Sequence, residues 1–263
     1  MTLWHQTTGE GPPLLLVHGW GMNATVWQPW LEQLNSEFQV TCVELPGHGC
    51  SDIQNDQNTL TSWADAVTDI APANAIWLGW SLGGLVTLQA VLKQMSSQAA
   101  VQARALYMMT ATPCFARHNQ WQCAMPVATL KQFAANLETD VDGTLLRFLS
   151  LQIKGSEQAR DILKQLRAGF SQRPAADNGA LKLGLGLLSD SDLRDSLQNI
   201  NIPVHWTFGE RDTLVPACVS ESVKQLLPDA TTQVIKGAGH VPFLSHADEC
   251  LQSLRLLAGS MAA

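Results

Sequence analysis

Short apolar runs alternate with amphipathic segments along the first 113 residues of the chain. The runs have the length and uniform hydrophobicity of buried strands, and the segments between them carry apolar residues at helical spacing. The predicted strands are residues 13–19, 38–45, 74–79 and 104–113. The predicted helices are residues 23–34, 59–71 and 84–95. Strands that alternate with helices predict βαβ units and a mostly parallel, doubly wound α/β sheet.

This alternation stops in the middle of the chain. Residues 114–190 contain no convincing strand, and several amphipathic helices are predicted there. The alternation then resumes with strands 202–209 and 231–237 and with helices near 217–227 and 246–258. We expect a single α/β core made of residues 1–113 and 191–263, with residues 114–190 inserted as a helical cap.

The composition limits the class of function. The chain has 263 residues, 46% hydrophobic and 15% charged, which is typical of a compact protein with a full core. Its net charge of −7 argues against nucleic acid or an anionic membrane as a partner. We expect no membrane span and no signal peptide, because no apolar run is long enough and the first residues lack a basic start. The six cysteines form no CxxC pair and are expected to be free thiols in the cytoplasm.

A single serine lies between two glycines where the third predicted strand ends. Residues 79–83 read Gly-Trp-Ser-Leu-Gly, which is the pattern G-x-S-x-G between a predicted strand and a predicted helix. In this context the pattern forms a nucleophile elbow, a sharp turn in which glycines avoid side-chain collisions. The free N–H groups of the following helix favour negative charge at the same place. We therefore predict that Ser81 is a nucleophile; the alternative is an ordinary glycine turn.

A serine hydroxyl needs a base to act as a nucleophile, and the base needs an acid to orient it. In this architecture both follow the nucleophile along the chain, the acid first. Asp212 follows strand 202–209 and His240 follows strand 231–237, which places both at the carboxyl edge of the sheet. The sequence thus predicts a catalytic triad of Ser81, Asp212 and His240.

Other side chains compete for these two roles. Glu210 is the rival acid, because it lies in the same loop as Asp212. His18, His48 and His246 are rival bases, although none of them follows a late strand. His18 is better explained as a structural hydrogen-bonding group beside the turn after the first strand.

The negative oxygen that forms when such a nucleophile attacks a carbonyl group needs two backbone donors. One is predicted to be the N–H of Leu82, the residue after the nucleophile, and the other the N–H of Trp20 in the HGWG loop. Trp20 and Trp80 adjoin these turns and are predicted to line the acyl pocket.

Five motifs occur in a recognisable order, namely HGWGMNATVW, ELPGHGCSD, GWSLGGL, GERDTLVP and GAGHVPF. With them the chain resembles the α/β-hydrolase superfamily over its whole length, which implies the α/β-hydrolase fold. The stretches AIWLGWSLGGL, TPCF and RFLSLQ are similar to those of the biotin-pathway carboxylesterases, which act on pimeloyl-[acyl-carrier protein] methyl ester. The RFL stretch adds Phe148 to the predicted acyl pocket.

This resemblance implies an activity and a partner. The expected reaction removes methanol from the methyl ester of pimeloyl-[acyl-carrier protein], with small esters as side substrates and without a cofactor. It also implies that the cap covers the site and meets the acidic carrier protein, and we expect a monomer. The histidines show no metal-ligand spacing, so no metal is expected.

The distribution of charge agrees with an acidic partner. Nine of the 16 Lys and Arg residues lie between residues 114 and 190, although the whole chain is acidic. Near Ser156 a helix is predicted to begin, and it would align Arg160, Lys164 and Arg167 on one face. Together with Arg147, these residues are predicted to dock the carrier protein. The alternative is a solvated face with local pairs, Glu157–Arg160 and Asp161–Lys164.

Two other classes of function stay open. A short-chain esterase, a lactonase or a carbon–carbon bond hydrolase would keep the triad and be indifferent to the charge of the cap. A ligand-binding protein would keep the fold without turnover, and the complete set of Ser81, Asp212 and His240 argues against it.

Overall fold

The computed structural model describes residues 3–53, 58–97, 103–156, 158–170 and 172–260. Within these residues seven strands form one sheet. The strands are β1 (His5–Thr8), β2 (Pro13–Val17), β3 (Gln39–Val43), β4 (Ala75–Trp80), β5 (Ala103–Met109), β6 (Val204–Gly209) and β7 (Thr231–Ile235). Their order across the sheet is β1-β3-β2-β4-β5-β6-β7, and only the pair β1 and β3 is antiparallel. The predicted mostly parallel sheet is confirmed.

The hydrophobic pattern does not predict β1. This strand reads His-Gln-Thr-Thr, and three of its four residues are exposed. It forms the edge of the sheet and pairs only with β3, through His5 opposite Val43 and Thr8 opposite Val40. An edge strand that faces solvent needs no apolar run, so composition gives no signal for it.

Helices cover both faces of the sheet. They are α1 (Gln28–Asn35), α2 (Leu60–Thr68), α3 (Leu82–Ser96), α4 (Val127–Thr139), α5 (Val141–Gln152), α6 (Ala159–Phe170), α7 (Asn178–Asp190), α8 (Val219–Leu226), α9 (Pro242–Ser245) and α10 (Ala247–Gly259). None of the helices that the structure describes is both long and apolar enough to cross a lipid bilayer.

The strand β2 shows how the sheet divides the core into two layers. Leu15 and Val17 pack into one layer together with side chains of α2 and α3. Leu14 and Leu16 pack into the other layer together with side chains of α1 and α10. Successive side chains of a strand point to opposite faces, so a strand that is covered on both sides reads as one continuous apolar run. The central strands were recognisable in the sequence for this reason.

The segment between β5 and β6 contains α4, α5, α6 and α7, but it is not helical from its start. Residues 114–125 form a short loop that doubles back on itself and is called the hairpin below. Its isolated bridges are parallel between Ala116 and Met125 and antiparallel between His118 and Trp121. The next helix begins at Val127, and α6 begins at Ala159 rather than near Ser156. The limits of the cap, residues 114–190, stay a prediction.

Two of the six cysteines are paired, so the expectation of free thiols is wrong for them. Cys123 and Cys218 form a disulfide, although 95 residues separate them along the chain. Their Cα atoms lie 5.8 Å apart, within the usual range for a bridged pair. The free cysteines are Cys42, Cys50, Cys114 and Cys250.

Candidate active site

Ser81 lies at a strained turn between β4 and α3. Its backbone angles are φ 55° and ψ −119°, in the left-handed half of the map that residues with side chains rarely enter. The backbone N–H of Ser81 donates to the backbone oxygen of Met109 at 3.1 Å, and the backbone oxygen of Ser81 accepts from the Gly84 N–H at 2.9 Å. These bonds hold the turn from both sides, as a nucleophile elbow requires.

The glycines of the elbow lie where no side chain fits. A Cβ atom on Gly83 would lie 2.5 Å from the backbone oxygen of His18, and one on Gly79 would lie 2.5 Å from the backbone oxygen of Gly83. Both obstacles are main-chain atoms of packed elements, which cannot move aside cheaply. The two glycines therefore let β2, β4 and α3 approach closely enough to present Ser81.

We expect the substitution Gly83→Ala to lower the free energy of unfolding by about 2–3 kcal/mol, because the methyl group overpacks the joint between β2 and α3. The melting temperature should fall by roughly 4–10 °C. The matched control is Gly186→Ala in α7, where a Cβ atom would have no neighbour within 4 Å. Gly186→Ala should be neutral or slightly stabilising. Equal melting temperatures for the two variants would contradict this account of the elbow.

Asp212 and His240 form a buried pair at the carboxyl edge of the sheet. The Asp212 Oδ2 atom lies 2.7 Å from His240 Nδ1, and both side chains are almost fully inaccessible. Asp212 Oδ1 accepts the backbone N–H groups of Leu214 at 2.8 Å and of Val215 at 3.0 Å. One carboxylate oxygen is thus fixed by the backbone, and the other is presented to the histidine ring.

The main chain of His240 is held by three further residues. Its N–H donates to the backbone oxygen of Gln152 at 3.0 Å, at the end of α5. Its oxygen accepts the indole N–H of Trp80 and the hydroxyl of Thr110, both at 2.8 Å. Sequence analysis missed Thr110 and Gln152 in this role, because partners more than 80 residues away leave no local pattern.

The second ring nitrogen of His240, Nε2, has no hydrogen-bond partner among the described residues. His240 Nε2 is buried and forms no hydrogen bond with any residue that the structure describes. Ser81 itself is 3% exposed. The structure therefore contains no Ser81–His240 hydrogen bond, and catalytic hydrogen bonds of this kind are often long until substrate binds.

The rival acid and the rival bases are engaged elsewhere. Glu210 Oε2 accepts the backbone N–H of Gly237 at 2.8 Å. His246 Nδ1 lies 2.8 Å from the hydroxyl of its neighbour Ser245. The structure thus gives Asp212, and not Glu210, the hydrogen bond to His240.

His18 and His48 support the loop that follows β2. The Leu45 N–H donates to His18 Nε2 at 3.0 Å, so His18 Nδ1 carries the proton and donates to the Gly19 oxygen at 2.8 Å. The Gly21 N–H donates to His48 Nε2 at 3.3 Å. Both rings therefore act as neutral groups that fix the position of Trp20 between them.

Burial keeps three histidines neutral. It lowers the pKa of His18 to about 3, with a smaller contribution from His48. It also lowers the pKa of His48 to about 4 and that of His205, in β6, to about 4. Each value lies below the ordinary pKa of 6.5, so a proton binds the unfolded chain more readily than the folded protein.

We expect these three histidines to add no pH dependence to the free energy of unfolding well above pH 6.5 and to lower it as the pH drops from 6.5 towards 4. Each of the three histidines contributes a slope of up to roughly 1.4 kcal/mol per pH unit in this window. Urea unfolding between pH 7.5 and pH 5 measures this slope. The variant His205→Gln should lose one third of it, whereas His5→Gln, at an exposed position, should lose none. A flat profile would contradict the assignment of three buried neutral rings.

The aromatic residues predicted for the acyl pocket lie in two places. Trp20 and Phe148 meet edge to face with their centroids 4.7 Å apart, and the Trp20 indole N–H donates to the Leu181 oxygen at 2.8 Å. Trp80 instead packs in the other core layer, against Trp27 and Phe243. The structure thus brings Trp20 and Phe148 together. The Trp80 ring lies 5.8 Å from the His240 ring and borders Gly19, and its place in the acyl pocket stays a prediction.

The predicted basic row is exposed on α6. Arg160, Lys164 and Arg167 all face solvent, while Ile162 and Leu166 of the same helix are buried. Helical spacing therefore separates a charged face from an apolar face, as the sequence predicts.

Two local ion pairs, Glu157–Arg160 and Asp161–Lys164, were the predicted alternative to a free basic row. Asp161 forms no ion pair with Lys164 in the part of the chain that the structure describes, and Glu157 lies outside that part. Arg147, on α5, forms an exposed ion pair with Asp140 at 3.3 Å.

One further group of side chains has the composition of a metal site. Ligand atoms of Cys114, His118 and Asp192 lie within 4.8 Å of one another. Arg194, however, binds both oxygens of Asp192, at 2.8 and 2.7 Å, and lowers the pKa of that carboxyl. Burial raises the pKa of the Cys114 thiol to about 11. Arg194 thus occupies both carboxylate oxygens of Asp192, and the Cys114 sulfur lies 3.4 Å from His118 Nε2, so hydrogen bonds join these side chains.

Comparison with known proteins places the chain in a family. The family model of the alpha/beta hydrolase fold matches residues 12–247. A pimeloyl-[acyl-carrier protein] methyl ester esterase of Aliivibrio salmonicida is 39% identical over 96% of this chain and 94% of its own length. The protein of that name from Xanthomonas campestris pv. campestris is 41% identical over 94% of each chain.

Solved structures share the fold at lower sequence identity. The bromoperoxidase of Bacillus anthracis superposes with a TM-score of 0.85 at 19% identity and covers 98% of this chain and 95% of its own. The esterase of Exiguobacterium antarcticum superposes with a TM-score of 0.83 at 20% identity and covers 99% and 96%. The fold, the match to the family model and the full-length relatives agree, and this chain belongs to the α/β-hydrolase family as a carboxylic ester hydrolase.

Proposed function

We propose that this enzyme hydrolyses the methyl ester of pimeloyl-[acyl-carrier protein] to pimeloyl-[acyl-carrier protein] and methanol in biotin biosynthesis. The observation that carries the proposal is the strained Ser81 turn beside the buried Asp212–His240 pair, in a chain that matches methyl ester esterases over nearly its whole length. The reaction takes place in the cytoplasm, on a monomer, and needs no cofactor.

In this proposal His240 Nε2 removes the proton of Ser81 as the serine oxygen attacks the ester carbonyl. Asp212 accepts the Nδ1–H of His240, so the ring presents an unprotonated Nε2 and its positive charge is stabilised after proton transfer. The collapse of the first tetrahedral intermediate expels methanol, which takes its proton from His240. Water then attacks the acyl-enzyme by the same route and frees the carboxylate.

The negative oxygen of each intermediate is held by the N–H groups of Trp20 and Leu82. Leu82 is the first residue of α3, where the N–H groups have no partner within the helix. A Cβ atom on Gly19 would lie 3.2 Å from the Ser81 Cβ, so the loop that carries Trp20 runs directly against the nucleophile. In this proposal both N–H groups point at the oxygen that becomes negative, as an oxyanion hole requires.

The acyl chain runs beneath the insertion in this proposal. The rings of Trp20 and Phe148 join the loop after β2 to α5, and Phe133 of α4 packs on Phe148 with their centroids 5.7 Å apart. This row of rings provides an apolar wall that the insertion and the loop after β2 form together. It suits the methylene chain that links the ester to the carrier thioester.

The basic row on α6 supplies the carrier-binding surface. Arg160, Lys164, Arg167 and the nearby Arg147 would meet an acidic protein surface, which steers association and fixes orientation. In this proposal, docking on α6 places the distal methyl ester, and not the thioester, at Ser81.

Charge reversal tests the docking surface. In the double variant Lys164→Glu/Arg167→Glu, we expect kcat/KM for the carrier-bound methyl ester to fall by about 10–30-fold at low salt. The value for free dimethyl pimelate should stay within about twofold, because the triad is untouched. The loss should shrink at high salt, where exposed charges are screened.

The matched control is Lys224→Glu/Lys236→Glu, which makes the same change of net charge at exposed positions in α8 and directly after β7. It should leave both substrates unaffected. An equal response of the two substrates to the α6 variant would instead identify a general short-chain esterase, in which the basic row is only solvated.

A further inference from the structure

We propose that Cys123 and Cys218 are a reversible thiol–disulfide site that controls the loop carrying Asp212. The pair joins the hairpin of residues 114–125 to the acid loop, defined here as residues 209–218. This inference rests on the proposed function, because it needs Asp212 to be the acid of the triad.

The acid loop transmits a change at Cys218 to Asp212 over a short distance. The Asp212 N–H donates to the Gly209 oxygen at 3.2 Å, where β6 ends, and Asp212 Oδ1 accepts from the Val215 N–H at 3.0 Å. Cys218 is the last residue of the loop, three positions after Val215. A displacement of Cys218 therefore acts on a backbone group that directly orients the carboxylate.

The other end of the disulfide is attached to a fixed point. Within the hairpin, the Trp121 indole N–H donates to the Cys114 oxygen at 2.8 Å. The backbone of Cys114 forms an isolated β-bridge with that of Asp192. The guanidinium of Arg194 binds the Asp192 carboxylate and lies 5.3 Å from the centre of the Trp121 ring. Because the hairpin is braced in this way, the disulfide fixes the acid loop rather than joining two loose segments.

The pair is accessible to small thiols. Cys218 is exposed and Cys123 is half-buried, whereas Cys114 and Cys42 are buried, which raises their pKa values to about 11 and about 12. Cys218 also directly precedes α8, and the N-terminus of a helix favours a thiolate. Exposure therefore leaves Cys218 and Cys50 open to small thiols, and Cys50, which is not in a disulfide, provides the comparison.

The chemistry is exchange with a small-molecule disulfide, R–S–S–R. The Cys218 thiolate attacks one sulfur, forms a mixed disulfide and releases one RS⁻; the Cys123 thiolate then attacks the Cys218 sulfur and releases the second. Two protein S–H bonds are lost and one S–S bond is formed. The small disulfide is reduced to two RSH, which take up the two protons, and excess RSH reverses both steps.

The test compares the oxidised and reduced enzyme. Oxidised glutathione and then dithiothreitol set the two states, and titration of the denatured protein should count four and six thiols respectively. On p-nitrophenyl acetate, reduction should lower kcat by about 3–10-fold with KM unchanged, and reoxidation should restore it. Cys123→Ser and Cys218→Ser should match the reduced enzyme and ignore dithiothreitol, whereas Cys50→Ser should respond like wild type.

Three results would overturn the proposal. Six thiols after oxidation would show that the pair does not form. If the reduced enzyme, with six thiols titrated, keeps the kcat of the oxidised enzyme, the disulfide does not act on the acid loop. If reduction lowers the melting temperature but leaves kcat unchanged, the disulfide is purely structural. The variant Ser81→Ala separates a failure of this inference from a failure of the proposed function. Turnover by Ser81→Ala, in either redox state, would contradict the proposed function itself.

Discussion

Replacing Ser81 with alanine is expected to lower kcat by about 10⁴-fold or more, for carrier-bound and free esters alike. The alanine keeps the backbone of the elbow and removes only the attacking oxygen, so no acyl-enzyme forms. KM should change little, because the hydroxyl contributes almost nothing to ground-state binding. Initial rates on an activated ester, with active-site titration of the wild type, measure the loss.

The matched control for this variant is Ser253→Ala in α10. Ser253 is buried like Ser81, but its hydroxyl donates to the side-chain oxygen of Gln233, with the backbone oxygen of Glu249 at 3.2 Å, and it lies outside the site. It should retain wild-type turnover. Residual activity in Ser81→Ala above about 1% of the wild type would show that another group is the nucleophile.

The second large effect is expected from Asp212→Asn, which should lower kcat by roughly 10⁴-fold. The N–H groups of Leu214 and Val215 point at the Oδ1 position, so the amide oxygen of asparagine must occupy that place. Its NH₂ group then faces His240 Nδ1, which has to accept a hydrogen bond instead of donating one. The proton moves to Nε2, and His240 can no longer act as a base towards Ser81.

Glu210→Gln is the control that separates the two acids of this loop. Glu210 accepts only the Gly237 N–H among the described residues, so its amide should retain turnover within about twofold. A greater loss in Glu210→Gln than in Asp212→Asn would assign the acid to Glu210. The pH-rate profiles of both variants provide an independent readout, because only a change at the base alters the pH dependence.

Local patterns in the sequence were enough to predict the strands β2 to β7 and the elbow, but not the edge strand β1. The buried strands are continuous apolar runs, and the elbow is a five-residue pattern whose glycines are needed for close packing. Asp212 and His240 were predictable for a different reason, since each follows a late parallel strand and such strands end at one edge of the sheet. These inferences required no knowledge of distant contacts.

The remaining features depend on contacts that leave no local pattern. The bonds from Trp80 and Thr110 to the His240 oxygen join residues 160 and 130 positions apart, and the Cys123–Cys218 pair joins residues 95 positions apart. Nothing near any of these residues indicates its partner. Side chains along β4 point alternately to the two faces of the sheet. This explains why Trp80, although adjacent to Ser81 in the sequence, packs in the core layer opposite to that of Trp20.

The most direct test of the central claim is mass spectrometry of methyl pimeloyl-[acyl-carrier protein] after incubation with the enzyme. The account predicts that the carrier loses the mass difference between a methyl ester and its acid, that methanol appears in equal amount and that the thioester stays intact. It also predicts no change with Ser81→Ala. Release of the whole acyl chain from the carrier, or an unchanged mass while free esters are cleaved, would contradict the proposed function.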